Sequence, residues 1–396
     1  MKESFEIKNG IHWTGVIDQD LKVFDIIMET EFGTTYNSYF INDEKKVLID
    51  TVKPNFKEEF LPKLSKLVDI KDLDYVIIQH TEPDHSGSLK YILEVNPDVE
   101  VYCTQAAKIF LSEQINGPFK CHVIKDGEKL NIGSRDLTFM TAPFLHWSDT
   151  MFTYSENDGV LFTCDAFGSH FASVDPEIVT TNDYKKSREH YYNCIVKPFS
   201  QHVLNAVNKV QKYEFKFDTI LTSHGPILSK EPMDNVVKYV EWSTDVVEKS
   251  NQKQVALLYL SAYKNTVYMA EKIKEGLESE GVKVEYVDIE NVDLETIHDV
   301  INMSKGLILG SPTINRSMVK PMWDTLSIID PMANQGKIAG VFGSFGWSGE
   351  GINMAQSLIK TMGFKVPFEP VSKKFFPSEE TLEKCYDFGR EFGKLI

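Results

Sequence analysis

Gln79-His80-Thr81-Glu82-Pro83-Asp84-His85-Ser86-Gly87 directly follows the β-branched run Tyr75-Val76-Ile77-Ile78. Four side chains able to bind a metal, His80, Glu82, Asp84 and His85, fall within six residues at the carboxyl end of a predicted strand. A solvated polar loop usually carries one such group. Four at the spacing H-x-E-x-D-H, with Ser86-Gly87 and a helical pattern behind them, point instead to a loop folded around an ion. Outward from this loop, short strand-like runs recur at 47–51, 74–79, 99–103, 137–141, 159–164 and 218–223, with helical patterns at about 56–68, 86–95, 104–115 and 200–213. Strands this frequent, with helices between some of them, predict a layered αββα body rather than one parallel sheet.

Three further candidates stand at the ends of those runs. His146 lies a few residues beyond 137–141, in Leu145-His146-Trp147-Ser148-Asp149; Asp165 closes 159–164; His224 follows 218–223, in Ser223-His224-Gly225. A single His after a strand is commonly a hydrogen-bonded structural residue. Four strand ends converging on one face would gather four His and three carboxylates, about what two metal ions sharing a bridging carboxylate require.

The rhythm changes after an amphipathic stretch at 231–249 and the polar segment Glu248-Lys249-Ser250-Asn251-Gln252-Lys253-Gln254, which reads as a linker and divides the chain into 1–250 and 251–396. From residue 255 strand-like runs at 255–260, 282–289, 306–311, 338–344 and 364–369 alternate with helical patterns. That alternation predicts a flavodoxin-like, doubly wound parallel sheet, so the fold class is α/β in both halves. Three loops follow strands one, three and four on the side where such sheets bind ligands. They are Ser261-Ala262-Tyr263-Lys264-Asn265-Thr266, Ser311-Pro312-Thr313-Ile314-Asn315 and Ser344-Phe345-Gly346-Trp347-Ser348-Gly349-Glu350. The first places small hydroxyl groups at a helix N-terminus, which suits a phosphate. Trp347, between Gly346 and Gly349, is too exposed by its neighbours to be a core residue and suits stacking on a flat ring. No G-x-G-x-x-G follows any of these strands, which argues against a dinucleotide site.

Composition narrows the function classes. The chain has 396 residues, 42% of them hydrophobic and 25% charged, which is globular and long enough for two cores. Its formal charge of −16 argues against a duplex nucleic-acid binder. The start Met1-Lys2-Glu3-Ser4 lacks a leader pattern, and no apolar run approaches the roughly 20 residues of a membrane span, so the expectation is a cytoplasmic protein with no membrane partner. Five cysteines form no C-x-x-C pair, which removes support for zinc-ribbon and iron–sulfur sites.

The series His80, Asp84, His85, His146, Asp165, His224 resembles the ligand order of the metallo-β-lactamase fold. In the hydrolases of that fold the second motif residue is His and the metal is zinc. Glu82 at this position substitutes a harder, anionic oxygen and favours iron. Together with a flavodoxin-like half, the chain resembles the flavodiiron proteins over nearly its whole length. The resemblance implies FMN in the three loops and a non-haem di-iron centre. In that centre His80, Glu82 and His146 would hold the iron nearer the flavin, Asp84, His85 and His224 the second, and Asp165 would bridge. In some members the residue matching His85 turns away from the metal. The family also keeps a tyrosine near the irons, and Tyr191 and Tyr192 both fit that position; His170 could lie behind the ligands or be structural. The implied activity is reduction of O2 to water, NO to N2O, or both. The implied assembly is a head-to-tail homodimer, or a dimer of dimers, that sets one subunit's flavin beside the other's irons. No Cys-rich module follows the second half, so an external electron donor is implied, rubredoxin or a reduced deazaflavin. A metal-dependent hydrolase with an accessory flavodoxin-like domain is the alternative, and Glu82 weighs against it.

Overall fold

The computed structural model describes residues 2–25 and 28–396. The chain divides into two compact units, one ending at Thr244 and the other spanning Asp245–Ile396. The amphipathic stretch forms the helix Pro232–Ser250, and the next strand begins at Gln254, so only residues 251–253 separate them.

The first unit stacks two sheets. One has seven strands, in the order Phe5–Lys8, Ile11–Trp13, Tyr39–Asn42, Lys46–Ile49, Tyr75–Ile77, Glu100–Cys103 and Lys120–Val123. The other has five, Lys129–Asn131, Asp136–Thr141, Met151–Ser155, Val160–Cys164 and Thr219–Thr222. Alternation along each strand decides what faces what. Val47 and Ile49 join Ile77, Phe139, Met151, Phe162 and Leu221 between the sheets. Leu48 and Val76 point the other way, onto Phe60, Leu64, Leu89, Ile92 and Leu111 of the covering helices. Met140, Phe152, Tyr154 and Leu161 do the same on the second sheet, against Tyr184, Val203, Ala206, Val236 and Tyr239. Apolar runs buried on both faces are therefore what this αββα architecture needs.

One helix, Asn182–Tyr191, gives no apolar period in the sequence, because its buried positions are Tyr184, Ser187, Arg188 and Tyr191. It continues into a π-turn over Tyr192–Val196, a wider winding often found beside functional sites.

The second unit is a parallel sheet whose five main strands lie in the order second, first, third, fourth, fifth. They are Lys283–Asp288, Gln254–Tyr259, Gly306–Gly310, Ile338–Phe345 and Val371–Lys374. The fifth strand corrects the expectation of 364–369. Pro367 has no N–H to donate to a ladder, only Lys365 makes an isolated bridge to Ile338, and pairing resumes after Pro370. Helices cover both faces. Two of them, Asn265–Ser279 and Glu379–Gly393, cross in backbone contact: a Cβ on Gly276 would lie 2.1 Å from the carbonyl oxygen of Tyr386, and one on Gly389 would lie 2.1 Å from that of Ile273. Gly389→Ala should therefore destabilise the second unit by about 1–3 kcal/mol despite alanine's better helix propensity. The urea midpoint checks this, and an unchanged midpoint would mean that the crossing relaxes without strain.

Candidate metal centre and flavin loops

His80 follows the strand Tyr75–Ile77, and its entry is pinned by Asp50, which accepts hydrogen bonds from the Gln79 backbone N–H (2.8 Å) and side-chain amide (3.1 Å). Glu82 then leads into a single helical turn, Pro83–Ser86, with Pro at a position that needs no donor. That turn carries Asp84 and His85 and aims both inward, since His85 Nε2 lies 3.3 Å from Asp84 Oδ1 and 3.2 Å from Asp165 Oδ1.

Asp165 lies between two groups of side chains and presents one oxygen to each. Its Oδ2 faces His80 Nε2 (3.6 Å) and His146 Nε2 (3.7 Å), both of which also meet Glu82 Oε2, at 3.2 and 3.0 Å. Its Oδ1 faces His85 Nε2 and, at 3.4 Å, His224 Nε2, which lies 3.2 Å from Asp84 Oδ2. His146 is half-buried and the other six are buried.

The imidazoles are held from behind. His80 Nδ1 donates to Asp149 Oδ1 at 3.1 Å, while Asp149 Oδ2 accepts from the Thr81 N–H (2.8 Å) and hydroxyl (2.7 Å). His224 Nδ1 donates to the Thr35 carbonyl at 2.6 Å. Each bond fixes a tautomer and turns Nε2 into the cluster. Backbone strain accompanies the site: Cys164, just before Asp165, has φ 53°, Phe144, two residues before His146, has φ 65°, and Phe167 has φ 68°. Non-glycine residues at such angles cost roughly 1–2 kcal/mol each and persist only where the surroundings hold them.

Charge explains the chemistry of the cluster. Burial alone would raise the Glu82 carboxyl, but hydrogen bonds from His146 and His80 hold it well below the usual carboxylate range. Burial is likewise overcome at Asp165 by His85, His224 and His80, and its carboxyl is also held far down. In return Asp165 and Asp84 lift His85, against the effect of burial, to about 10, and Asp149 and Glu82 lift His80. These carboxylates thus draw positive charge onto their neighbours. Both oxygens of Asp84, both of Asp165 and Nε2 of His85 are buried without a hydrogen-bond partner. The ligand atoms of His80, Glu82, His85 and Asp165, and separately those of Asp84, His85 and His224, lie within 4.8 Å of one another. Orphaned nitrogen and oxygen donors, so close and so negative, fit two metal cations.

Of Tyr191 and Tyr192, Tyr191 is the one beside the cluster, and Tyr36 also stands against it, its ring 5.9 Å from that of His224. The Tyr191 hydroxyl donates to the Asp165 carbonyl (3.1 Å), and its ring meets His170 edge-on, whereas the Tyr192 hydroxyl bonds Ser200 and Ser243. His170 stands behind His224, with ring centroids 5.3 Å apart and Nδ1 3.0 Å from the Thr34 hydroxyl. Sequence reasoning missed Asp149, Thr35 and Asp25. Asp149 lies in Leu145-His146-Trp147-Ser148-Asp149, three residues after His146, but nothing in its spacing marks it. Asp25 sits exposed after the short strand Val23–Phe24, and partial desolvation of its carboxyl together with the hydrogen bond and charge of Glu82 pushes it up to about 7.

In the second unit the three loops follow Gln254–Tyr259, Gly306–Gly310 and Ile338–Phe345 on one end of the sheet. Lys264, where a glycine is common, has φ 63° just before the helix Asn265–Ser279, a left-handed angle that glycine adopts freely. Thr266 Oγ1 lies 3.0 Å from Ser344 Oγ and ties the first loop to the third. The Thr313 hydroxyl is buried without a partner, while Tyr263 and Trp347 are 85% and 81% exposed. Unused donors beside uncovered rings fit a flavin mononucleotide, which brings phosphate and a flat ring system.

Residues 34–225 match the family model described as ODP family beta lactamase, and residues 257–389 match that of flavodoxin. A β-lactamase-like domain with a carboxylate-rich metal cluster, joined to a flavodoxin domain, defines a class of flavin- and metal-dependent redox proteins. The chain belongs to the flavo-diiron protein family: it is 39% identical to a flavo-diiron protein of Clostridium acetobutylicum, with 99% of this chain and 100% of that protein covered. It is also 32% identical to the nitric oxide reductase of Moorella thermoacetica, over 100% of both chains. Among solved structures, the rubredoxin oxygen:oxidoreductase of Desulfovibrio gigas matches with a TM-score of 0.68 and 29% identity, over 99% of this chain and 98% of that one.

Asp149 gives the site its clearest test. Asp149→Ala should leave Glu82, Asp84 and Asp165 in place but free the His80 ring, lowering iron affinity roughly 10- to 100-fold. Iron retention against a graded chelator measures this, and wild-type retention would show that His80 needs no such support.

Proposed function

We propose that this chain is a flavodiiron oxidoreductase, with FMN and two irons as cofactors, that reduces O2 to water, NO to N2O, or both, using electrons from an external donor. The observation that carries the reading is Asp165, whose two oxygens face two separate groups of ligand atoms. His80, Glu82, His146 and Asp165 Oδ2 would hold one iron, and Asp84, His85, His224 and Asp165 Oδ1 the other. When bound, the irons supply charge and electrons to a diatomic acceptor, and the flavin accepts electrons singly or in pairs. Glu82 supplies an anionic oxygen where a zinc hydrolase would carry His, and the redox names of the relatives do not favour the hydrolase alternative. Tyr191 fixes the backbone of Asp165. Leu145, Ala166, Ile195, Val196 and Phe199 line a narrow recess against His146 and Asp165, where apolar walls exclude water and suit an apolar gas.

In the second unit Ser261, Asn265 and Thr266 would cradle the FMN phosphate at the helix N-terminus. Tyr263, Lys264, Ser311–Asn315 and Ser344–Gly349 would border the ring system, and Trp347 would stack on it. Rubredoxin is the donor we favour, with a reduced deazaflavin second. The exposed rings of Tyr263, Trp347, Phe375 and Phe376 support cover by a second copy, as a homodimer or dimer of dimers. Among the described residues no helix is long and apolar enough to cross a membrane, and five free thiols support a reducing compartment such as the cytoplasm.

Asp165→Ala should keep FMN and lose iron, because one carboxylate serves both groups. Trp347→Ala should keep about two irons and hold FMN more weakly, by about 0.5–1.5 kcal/mol, or up to roughly tenfold. Reduction of O2 or NO should fall sharply in both, while the Asp165 variant still accepts electrons into its flavin. Iron and flavin content with stopped-flow flavin absorbance decide the matter; two irons and normal turnover in Asp165→Ala would sink the reading. Glu82→His should shift the metal content toward zinc and abolish gas reduction, and a variant that kept full iron and activity would refute the role given to Glu82.

A further inference from the structure

Cys103 ends the strand Glu100–Cys103, and Cys121 lies in Lys120–Val123, the edge strand beside it. The two strands run parallel, with Val101 opposite Cys121 and Cys103 opposite Val123, so both cysteines project from one face. Their sulfurs are 3.5 Å apart, within hydrogen-bond range, and both thiols are free. Their surroundings differ. Cys103 is fully buried against Ala107 and Leu111, whereas Cys121 is half-buried beside Ile115 and Phe119 at the margin of the same cluster.

We propose that Cys103 and Cys121 form a reversible dithiol–disulfide site that takes hydrogen peroxide as its oxidant, with Cys121 as the attacking sulfur and Cys103 as the resolving one. The accessible partner attacks and the buried one follows. The hydrogen bond from Cys103 lowers the Cys121 thiol despite burial, and Lys108, on the helix that begins just after Cys103, lowers it further against the opposing charge of Glu100. The same bond, with burial, holds the Cys103 thiol up. A small uncharged oxidant suits a sulfur at the edge of an apolar cluster, where a bulky charged disulfide such as oxidised glutathione does not. The Cys121 thiolate attacks the O–O bond, forming an S–O bond; the departing hydroxide takes a proton and leaves as water. Cys103 sulfur then attacks the sulfenic sulfur, the S–S bond forms, and the second hydroxide leaves as water with the Cys103 thiol proton. Two thiols lose two electrons and one peroxide becomes two waters.

The site is joined to the metal cluster through two residues, Thr104 and Asp149. Thr104, next after Cys103, caps the helix Gln105–Ile115 and donates to the Asp149 carbonyl at 3.0 Å, and Asp149 holds His80. The thiol chemistry itself does not rest on the proposed reduction of O2 or NO, so its test is independent of that activity.

The test uses the reduced holoenzyme, treated anaerobically with one equivalent of hydrogen peroxide, alkylated, and digested with trypsin without reductant. The expected result is a linked pair of peptides, residues 91–108 with residues 121–125, lost on treatment with a thiol reductant. In Cys103→Ser no link should form, and dimedone should trap Cys121 as a sulfenic acid. In Cys103→Ala the pH for half-maximal alkylation of Cys121 should shift upward, a readout that a merely structural contact would not move. Both cysteines remaining fully alkylatable after peroxide would overturn the proposal, and the wild-type digest alone decides this if the variants fail to fold.

Discussion

Buried negative charge must be met by positive charge, and that requirement governs the first unit. Glu82, Asp84 and Asp165 are withdrawn from water at the ends of strands, where the solvation lost by each carboxylate amounts to several kcal/mol. Imidazoles answer part of that need, which is why the carboxylates lift His80 and His85 above the ordinary imidazole range, but several oxygens still lack a hydrogen bond. Cations placed between the donors would satisfy them. The left-handed residues at Cys164 and Phe167, the single turn at Pro83–Ser86 and the bonds to Asp149 and Thr35 all hold donors where such cations need them.

The rigidity of that arrangement comes from the two-sheet body. Each ligand follows a strand or a loop anchored to one, and the strands are fixed by apolar residues on both faces. The second unit uses the same device with a different geometry: strands one, three and four end on one side of a parallel sheet, and their loops carry hydroxyl groups and exposed rings. Both units thus put chemistry on loops and stability in sheets.

Much of this was legible in the chain. H-x-E-x-D-H after a buried strand is a local signal, and His146, Asp165 and His224 could be found because each follows an apolar run. The alternation after residue 255 carried the second unit's architecture, apart from its fifth strand, where Pro367 interrupts pairing that hydrophobicity alone suggests. Orientation was not legible. That His85 turns inward, that Tyr191 rather than Tyr192 meets Asp165, and that Asp149 backs His80 depend on contacts between distant segments. The helix Asn182–Tyr191 was silent for a related reason: its buried face is built of tyrosines and hydrogen-bonding groups, so it carries no apolar period.

The ligand atoms come from both sheets, with His80 attached to one and Asp165 and His224 to the other. No local segment can assemble such a pocket. The strands must pair, the sheets must stack, and residues far apart in the chain must meet before all seven donors coexist. Contacts of such long range form slowly and late in folding. Metal ions that need all seven donors would therefore be bound late, by a body already close to its final form. Once bound, such ions would oppose any opening that separates their donors, whether between the sheets or in the ligand loops, while local fraying of distant surface elements would proceed almost as before.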